Sequence, residues 1–165
     1  MIFISHRGNL NGVKPELENS PEYIDAAIDE GFDVEIDLRM KDGIPHLGHD
    51  EPQYPISWEW LWERREWLWV HVKEFAALDW LQTTHHMWAI RYFCHESDRY
   101  TLVSKNWIWS HDLTNPMTKR CVIPLLSKEQ VESYNQTGFG AVCSDYIYDC
   151  VTKFDNSNGW SELMS

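Results

Sequence analysis

Positive charge is scarce in this sequence. Its 14 lysines and arginines stand against 26 aspartates and glutamates, which gives a formal net charge of −12 at pH 7. This charge repels nucleic acid and anionic membrane surfaces, and no basic run offsets it, so we expect neither as a partner. An anionic substrate would need local positive charge from a metal ion or from a few selected Arg and Lys side chains.

The cysteines lack the spacing of a metal site or a redox pair. Cys94, Cys121, Cys143 and Cys150 form no Cys-x-x-Cys motif. No signal-peptide pattern is present, because the apolar start MIFIS runs directly into polar HRGN. We therefore expect reduced cysteines in a cytoplasmic protein, and a leader removed beforehand is the alternative. No apolar run approaches the ~20 residues of a membrane span, so we expect no membrane insertion.

Linkers rich in Pro, Gly or Ser, internal repeats and low-complexity segments are also missing. The chain has 165 residues, 43% of them hydrophobic and 24% charged. A chain of this length and composition buries a sizeable core, so the sequence predicts a single domain over residues 1–165. The oligomeric state stays unknown.

Short apolar runs alternate with helical patterns along the chain. Strands are predicted at residues 1–5, 32–40, 67–73, 87–93, 100–104, 106–111, 119–125 and 141–146. Helices are predicted at 21–30, 55–66, 74–86 and 127–138, three of them with a capping serine (Ser20, Ser57 and Ser127). This alternation favours parallel βαβ units. Any barrel built from them would be pared down, because a full (β/α)8 barrel takes about 250 residues.

Acidic side chains occupy one face of the second predicted strand, VEIDL. Because side chains alternate between the faces of a strand, Val34, Ile36 and Leu38 point one way. Glu35 and Asp37 point the other way. Two carboxylates held together repel each other, and a divalent cation relieves the repulsion because hard cations take carboxylate oxygens.

The same alternation recurs in two other strands. VHVK places His71 and Lys73 on one face, and FISH places His6 at the end of the first strand. A surface antiparallel strand would show this pattern too, with its polar face in water. The expected βαβ units favour a polar face that points inward, towards the carboxyl ends of the strands.

Two histidines are placed for proton transfer. His6 ends the first strand, and the turn KDG followed by HLGHD could return His49 to the same edge. Imidazoles gain or lose a proton near neutral pH, which suits general acid–base catalysis. We expect His46 to be structural or exposed.

These motifs together resemble the glycerophosphodiester phosphodiesterase family. SHRGN and the segment ELENSPEYIDAAIDEGFDVEIDLRMKDGIPHLGHD match its opening signature over residues 5–50, and GFGAVCSDYI (138–147) is similar to its last strand. Residues 85–125 align only loosely. The chain looks most like short relatives found among bacterial surface-polysaccharide genes, so the resemblance implies a role in lipid or surface-polysaccharide metabolism.

The resemblance implies a compact (β/α)8 TIM barrel with several helices shortened or missing, and hydrolysis of a small glycerophosphodiester-type substrate. It places His6 and His49 as the catalytic acid and base, and Glu35 and Asp37 as ligands of a divalent metal ion. Three further residues are implied as substrate contacts or their supports. These are Arg7 beside the first histidine, Lys73 near the phosphate, and Glu18, which could orient His6 or Arg7 or approach the metal.

His71 departs from the family pattern, which has a third acidic ligand at this position. His71 could bind substrate beside Mg²⁺ or Ca²⁺, which is the alternative we favour. It could instead be a ligand, which would favour Mn²⁺ or Zn²⁺. The third alternative is a site that has lost its metal. Leu125, where short relatives often have an acid, is a second departure.

These departures leave other functions open. The alternatives to hydrolysis are a catalytically impaired module that binds a phosphorylated glycerol or sugar, and a lyase that forms a cyclic phosphate. The loop CHESD places His95, Glu96 and Asp98 after a predicted strand. These side chains could contact substrate or metal, or could form a solvated loop.

Overall fold

The structure, a computed structural model, describes residues 1–83, 87–114 and 116–155. Ten strands lie at β1 (Ile2–His6), β2 (Asp33–Lys41), β3 (Ile44–Leu47), β4 (Tyr54–Pro55), β5 (Leu68–Val72), β6 (Arg91–Phe93), β7 (Tyr100–Val103), β8 (Trp107–Ser110), β9 (Cys121–Pro124) and β10 (Ala141–Ser144). Five helices lie at α1 (Pro21–Asp29), α2 (Trp58–Glu63), α3 (Phe75–Thr83), α4 (Lys128–Ser133) and α5 (Ile147–Phe154). A 3₁₀ turn covers Met87–Ala89.

All ten strands belong to one curled sheet. Its central order is β6-β5-β2-β1-β10-β9-β8-β7, and β3 and β4 extend from the far half of β2. The pairs from β6 to β8 are parallel, whereas β7 pairs with β8, and β3 with β2 and β4, in antiparallel fashion. The outer strands β6 and β7 approach each other where the Ser104 amide donates a hydrogen bond to the Tyr92 carbonyl (2.9 Å).

The expected compact (β/α)8 TIM barrel is wrong. The sheet is a mixed half-barrel with five short helices, and strands and helices do not alternate eight times. Connection length is the physical reason. Residues 104–106 alone join β7 to β8, whereas a parallel crossover takes a dozen or more residues. Lys105 and Asn106 have φ of 63° and 65°, and such a left-handed pair turns the chain into a hairpin.

The two faces of the sheet bury different clusters, as the alternation predicts. Val34, Ile36 and Leu38 of β2 pack with residues of α1, α2 and α3 on the outside of the curl. Ile4 and Trp69 pack on the inside with residues of β6, β7, β8, β9 and β10. The face that carries Glu35 and Asp37 is therefore the inner one.

Serine caps fix the starts of three helices. The hydroxyl oxygens of Ser20, Ser57 and Ser127 accept hydrogen bonds from the backbone of the first turns of α1, α2 and α4. The third predicted helix was expected to reach residue 86, but residues 84–86 lie outside the described part of the chain. In the described ranges no helix combines the length and apolar character needed to cross a bilayer.

Candidate functional site

A cleft of about 650 Å³ opens at the carboxyl ends of the parallel strands. Because these ends meet at one edge of the sheet, residues from distant parts of the sequence converge there. The lining residues are His6, Arg7, Glu35, His49, His71, Lys73, Phe93, His95, Glu96, Trp109, His111, Leu113, Pro124, Leu126 and Gln130.

Strand register brings the inner-face residues side by side. His6 of β1 is paired with Glu35 of β2, and Asp37 of β2 is paired with His71 of β5. Paired residues on neighbouring strands point to the same face of the sheet. The register therefore assembles two carboxylates and two imidazoles side by side on the inner face of the sheet, and all of them except Asp37 line the cleft.

Glu35, Asp37 and His71 form a group that could hold a metal ion. One potential ligand atom from each residue lies within 4.8 Å of the others. All three are buried, with exposed fractions of 2%, 0% and 8%. Glu35 Oε2 and Asp37 Oδ1 accept no hydrogen bond from the described residues, so each keeps an oxygen lone pair for a cation. The residues present therefore fit a divalent ion.

Positive groups surround Asp37. Its Oδ2 accepts a hydrogen bond from the Asn19 amide (3.0 Å) and lies 2.9 Å from Arg7 Nε. Its Oδ1 lies 3.3 Å from His71 Nδ1 and 3.6 Å from Lys73 Nζ. Burial alone would raise the pKa of Asp37, but these neighbours, His71 above all, hold that pKa well below its usual range.

Glu35 has the opposite electrostatics. Burial raises the pKa of this carboxyl, and the Asp37 charge raises it further. His6 and His71 counteract the rise only in part; His6 Nε2 is 3.8 Å and His71 Nδ1 is 3.7 Å from the Glu35 oxygens. Glu35 is therefore the carboxylate that gains most from an added cation.

His6 is oriented by an aspartate from the other end of the chain. Its Nδ1 lies 2.8 Å from Asp145 Oδ1, just beyond β10. Burial alone would lower the pKa of His6, but the hydrogen bond to Asp145 and the charge of Glu35 raise it above its ordinary value. With Nδ1 engaged, Nε2 is the nitrogen left for a substrate.

The loop after β1 is braced by polar side chains. Glu18 accepts hydrogen bonds from Arg7 Nη1 (3.1 Å) and Asn9 Nδ2 (2.8 Å). Asn9 Nδ2 also contacts Asp145 Oδ1 at 2.8 Å. Of the expected roles for Glu18, support of Arg7 is the one that this geometry provides. Gly8 is required here because a Cβ would lie 2.6 Å from the Tyr23 ring.

The turn after β3 returns His49 to the cleft. His49 Nδ1 contacts Asp50 Oδ1 (2.7 Å), and its side chain is 40% exposed. The Arg39 guanidinium donates hydrogen bonds to the carbonyls of Gly48 and His49, which fixes the loop. A Cβ at Gly48 would lie 2.0 Å from the Glu51 carbonyl oxygen, so the loop requires glycine.

Two other positions flagged by the sequence lie away from the cleft. His46 is buried, its Nδ1 bonds to the Ile44 carbonyl (2.9 Å), and it is not among the cleft residues, so its structural role is confirmed. Leu125 is fully buried among residues of α4 and α5. Its side chain completes the core on the outer face.

The sequence left several site residues without a firm role. His95 was expected equally in a solvated loop, and His111 received no role, yet both line the cleft. Burial, with His71 and His111 nearby, lowers the pKa of His95 to about 4. Burial and His71 also lower the pKa of His111. Asp145, which is not among the site residues expected from the sequence, lies against His6.

Comparisons with protein-family models, with characterised proteins and with solved structures give no match for this chain. The functional conclusion therefore depends on the site itself.

Proposed function

We propose that this chain hydrolyses a glycerophosphodiester-type bond, with a divalent metal ion and with His6 and His49 as the acid–base pair. One observation carries the proposal. Both histidines line one cleft together with the basic residues Arg7 and Lys73. Glu35, which belongs to the group that could hold a cation, lines the same cleft. A phosphodiester needs these elements together: positive charge around its oxygens and two groups that transfer protons.

Glu35, Asp37 and His71 would hold the ion. Two carboxylates suit Mg²⁺ or Ca²⁺, and the imidazole of His71 adds affinity for Mn²⁺ or Zn²⁺. Stabilisation of the negative charge that develops on the phosphate oxygens is the chemistry that such an ion supplies when bound. The proposal thus takes His71 as a ligand, whereas the sequence favours it as a substrate contact; its nearness to both carboxylates supports the ligand role.

The histidines divide the proton transfers. Water attacks phosphorus and the bond to the leaving alkoxide breaks, giving a phosphomonoester and an alcohol. One histidine accepts the proton of the water, and the other donates a proton to the alkoxide oxygen. Asp145 at His6 Nδ1 and Asp50 at His49 Nδ1 leave the Nε2 atom of each ring for these transfers.

Arg7 and Lys73 supply positive charge in a protein whose formal net charge is −12. Both line the cleft and both lie near Asp37, at 2.9 Å and 3.6 Å. Without such groups, an anionic substrate would be repelled by the acidic surface. They therefore fit contacts to phosphate oxygens.

A binding module without turnover is the second candidate. The observation that favours it is the ion pairing of Asp37 with both Arg7 and Lys73, which already neutralises one of the two carboxylates. In that case the cleft would bind a phosphorylated glycerol or sugar.

The cellular location proposed from the sequence is the cytoplasm. The four cysteines are free, and Cys121, Cys143 and Cys150 are buried, which suits a reducing compartment.

Turnover by histidine variants tests the proposal. The wild type is incubated with glycerophosphodiesters and with bis-p-nitrophenyl phosphate in Mg²⁺, Mn²⁺, Ca²⁺ or EDTA. We expect metal-dependent hydrolysis that falls by about 10²-fold or more in His6→Ala and in His49→Ala. His46→Gln is the matched control and keeps the wild-type rate, because His46 lies outside the cleft.

Two outcomes would replace the proposal. Saturable binding of glycerol phosphate without turnover above His6→Ala would establish the binding module. A cyclic phosphate product in the phosphorus NMR spectrum would establish a lyase, in which a hydroxyl of the substrate replaces water as the nucleophile.

A further inference from the structure

Three histidines form a continuous row along one wall of the cleft. The ring of His71 stacks on the ring of His95 with 4.6 Å between centroids and 1° between planes. The centroids of His95 and His111 are 4.2 Å apart, and the Nε2 atoms of these two rings are 3.1 Å apart. The row thus starts at the carboxylate group and ends at a close pair of imidazole nitrogens.

We propose that His95 and His111 form a second metal site, for a divalent transition ion that prefers nitrogen ligands, such as Zn²⁺. The carboxylate group and the histidine pair would then hold two ions in one cleft. This second site is independent of the proposed hydrolysis, because it rests on the geometry of the two imidazoles.

The distance between the two nitrogens fits a shared ion. Zinc–nitrogen bonds are about 2.0–2.1 Å, so two histidine nitrogens on one tetrahedral zinc lie about 3.4 Å apart. The 3.1 Å separation of the Nε2 atoms is within a few tenths of an ångström of that value. The two nitrogens share a hydrogen bond in the structure, and an ion between them would take the place of the bridging proton.

The sheet explains why the pair is present. His95 follows β6 by two residues, and His111 follows β8 directly. The curl of the sheet brings these two strand ends to the same cleft, although sixteen residues separate the histidines in sequence. With two protein ligands, water molecules would complete the coordination of the ion.

The pair is distinct from the carboxylate group. Within the described ranges, Glu35, Asp37 and His71 are the one group of three or more such residues whose ligand atoms all lie within 4.8 Å of one another, and neither His95 nor His111 belongs to it. His71 has a nitrogen near the carboxylates and a ring face against His95. The His71 ring therefore lies between the carboxylate group and the pair formed by His95 and His111.

The number of zinc ions bound tests the second site. The full-length wild type, His95→Ala, His111→Ala and the double variant Glu35→Gln/Asp37→Asn are titrated with Zn²⁺ against a chromophoric chelator. We expect two ions in the wild type and one in each variant. Circular dichroism confirms that every variant is folded.

Cys94→Ser is the matched control. The Cys94 thiol is exposed and adjacent to His95 in sequence, but it lines a neighbouring pocket, so the variant keeps both ions. The proposal is overturned if the wild type binds no zinc, if His95→Ala or His111→Ala binds as many ions as the wild type, or if Cys94→Ser loses one. A single ion that is lost in His95→Ala and His111→Ala but kept in Glu35→Gln/Asp37→Asn would support the pair and contradict zinc binding at the carboxylate group. Loss of both ions on removal of the pair alone would also overturn it, because the two positions would then be one site.

Discussion

At the scale of single residues, the two carboxylates of β2 have opposite environments although one residue separates them. Asp37 lies among Asn19, Arg7, Lys73 and His71, which hold its pKa well below the usual range. Burial and the neighbouring Asp37 charge raise the pKa of Glu35. Asp37 is thus ionised and fixed in place, whereas the Glu35 charge is only partly offset by His6, His71 and Arg7.

The Asn19 side chain holds both the carboxylate and the backbone of Asp37. Its amide donates to Oδ2 (3.0 Å), and its own oxygen accepts from the Asp37 backbone amide (2.9 Å). We expect Asn19→Ala to lower the free energy of unfolding by about 2–3 kcal/mol, measured by chemical denaturation, because hydrogen bonds to a buried charge are lost.

Asn19→Gly is the control for backbone strain, since Asn19 has φ of 62° and glycine accepts this conformation. Asn19→Gly should lose most of the same stability. Wild-type stability in Asn19→Gly would show that the side-chain hydrogen bonds contribute nothing.

Asp145 positions His6 and shifts its protonation. We expect Asp145→Asn to lower kcat about tenfold to a hundredfold with little change in KM, because an amide can still accept the His6 hydrogen bond but has no charge. The loss of that charge lowers the pKa of His6. The limb of the pH–rate profile that belongs to His6 should therefore move to lower pH, and an unmoved profile would assign Asp145 a structural role only.

At the scale of elements, β2 was the most predictable part of the chain. Its strict alternation of apolar and acidic residues predicts the outer and inner faces, and both are confirmed by the clusters that Val34 and Ile36 join. Ser20, Ser57 and Ser127 were also correctly expected as helix caps. These features are local, so the sequence determines them without the rest of the fold.

The region from β6 to β9 was the least predictable part. The strands were located approximately, but the hairpin of β7 and β8 was not expected, because Lys105-Asn106 is a weak turn signal without glycine. The nearness of His95 and His111 depends on how the whole sheet curls. No local pattern carries that information.

The loop that presents His49 depends on one glycine. We expect Gly48→Ala to lower kcat/KM by about tenfold or more, because its Cβ would lie 2.0 Å from the rigid Glu51 carbonyl and would displace His49. Gly43→Ala is the matched control, since Gly43 also has positive φ but its Cβ would meet nothing within 4 Å. Equal activity of the two variants would show that the position of this loop does not matter for turnover.

At the scale of the whole molecule, the buried charge of Glu35 lowers the free energy of unfolding. Folding brings the Glu35 carboxylate against Asp37 and leaves both side chains almost fully buried. Because the folded protein raises the pKa of Glu35, ionisation of this group destabilises the fold as the pH rises above the ordinary glutamate value. Functional groups in proteins commonly lower the stability of the fold in this way.

Removal of the Glu35 charge should therefore stabilise the metal-free protein. We expect Glu35→Gln to raise the free energy of unfolding in EDTA at pH 7 by about 1 kcal/mol, measured by urea denaturation. The gain should shrink as the pH falls below the ordinary glutamate pKa, because Glu35 is then protonated in both states. Glu51→Gln, at an exposed glutamate, should change nothing, and a loss of stability in Glu35→Gln would contradict this assignment of the buried charge.

We propose that a divalent ion at Glu35, Asp37 and His71 enables phosphodiester hydrolysis in this cleft. The most direct measurement is the rate of alcohol release from a glycerophosphodiester by the wild type and by Glu35→Gln, each stripped with EDTA and then supplied with Mg²⁺ or Mn²⁺. We predict turnover that returns with metal in the wild type and stays at least about 10²-fold lower in Glu35→Gln. Equal rates with and without metal, or equal rates in the two proteins, would contradict the claim.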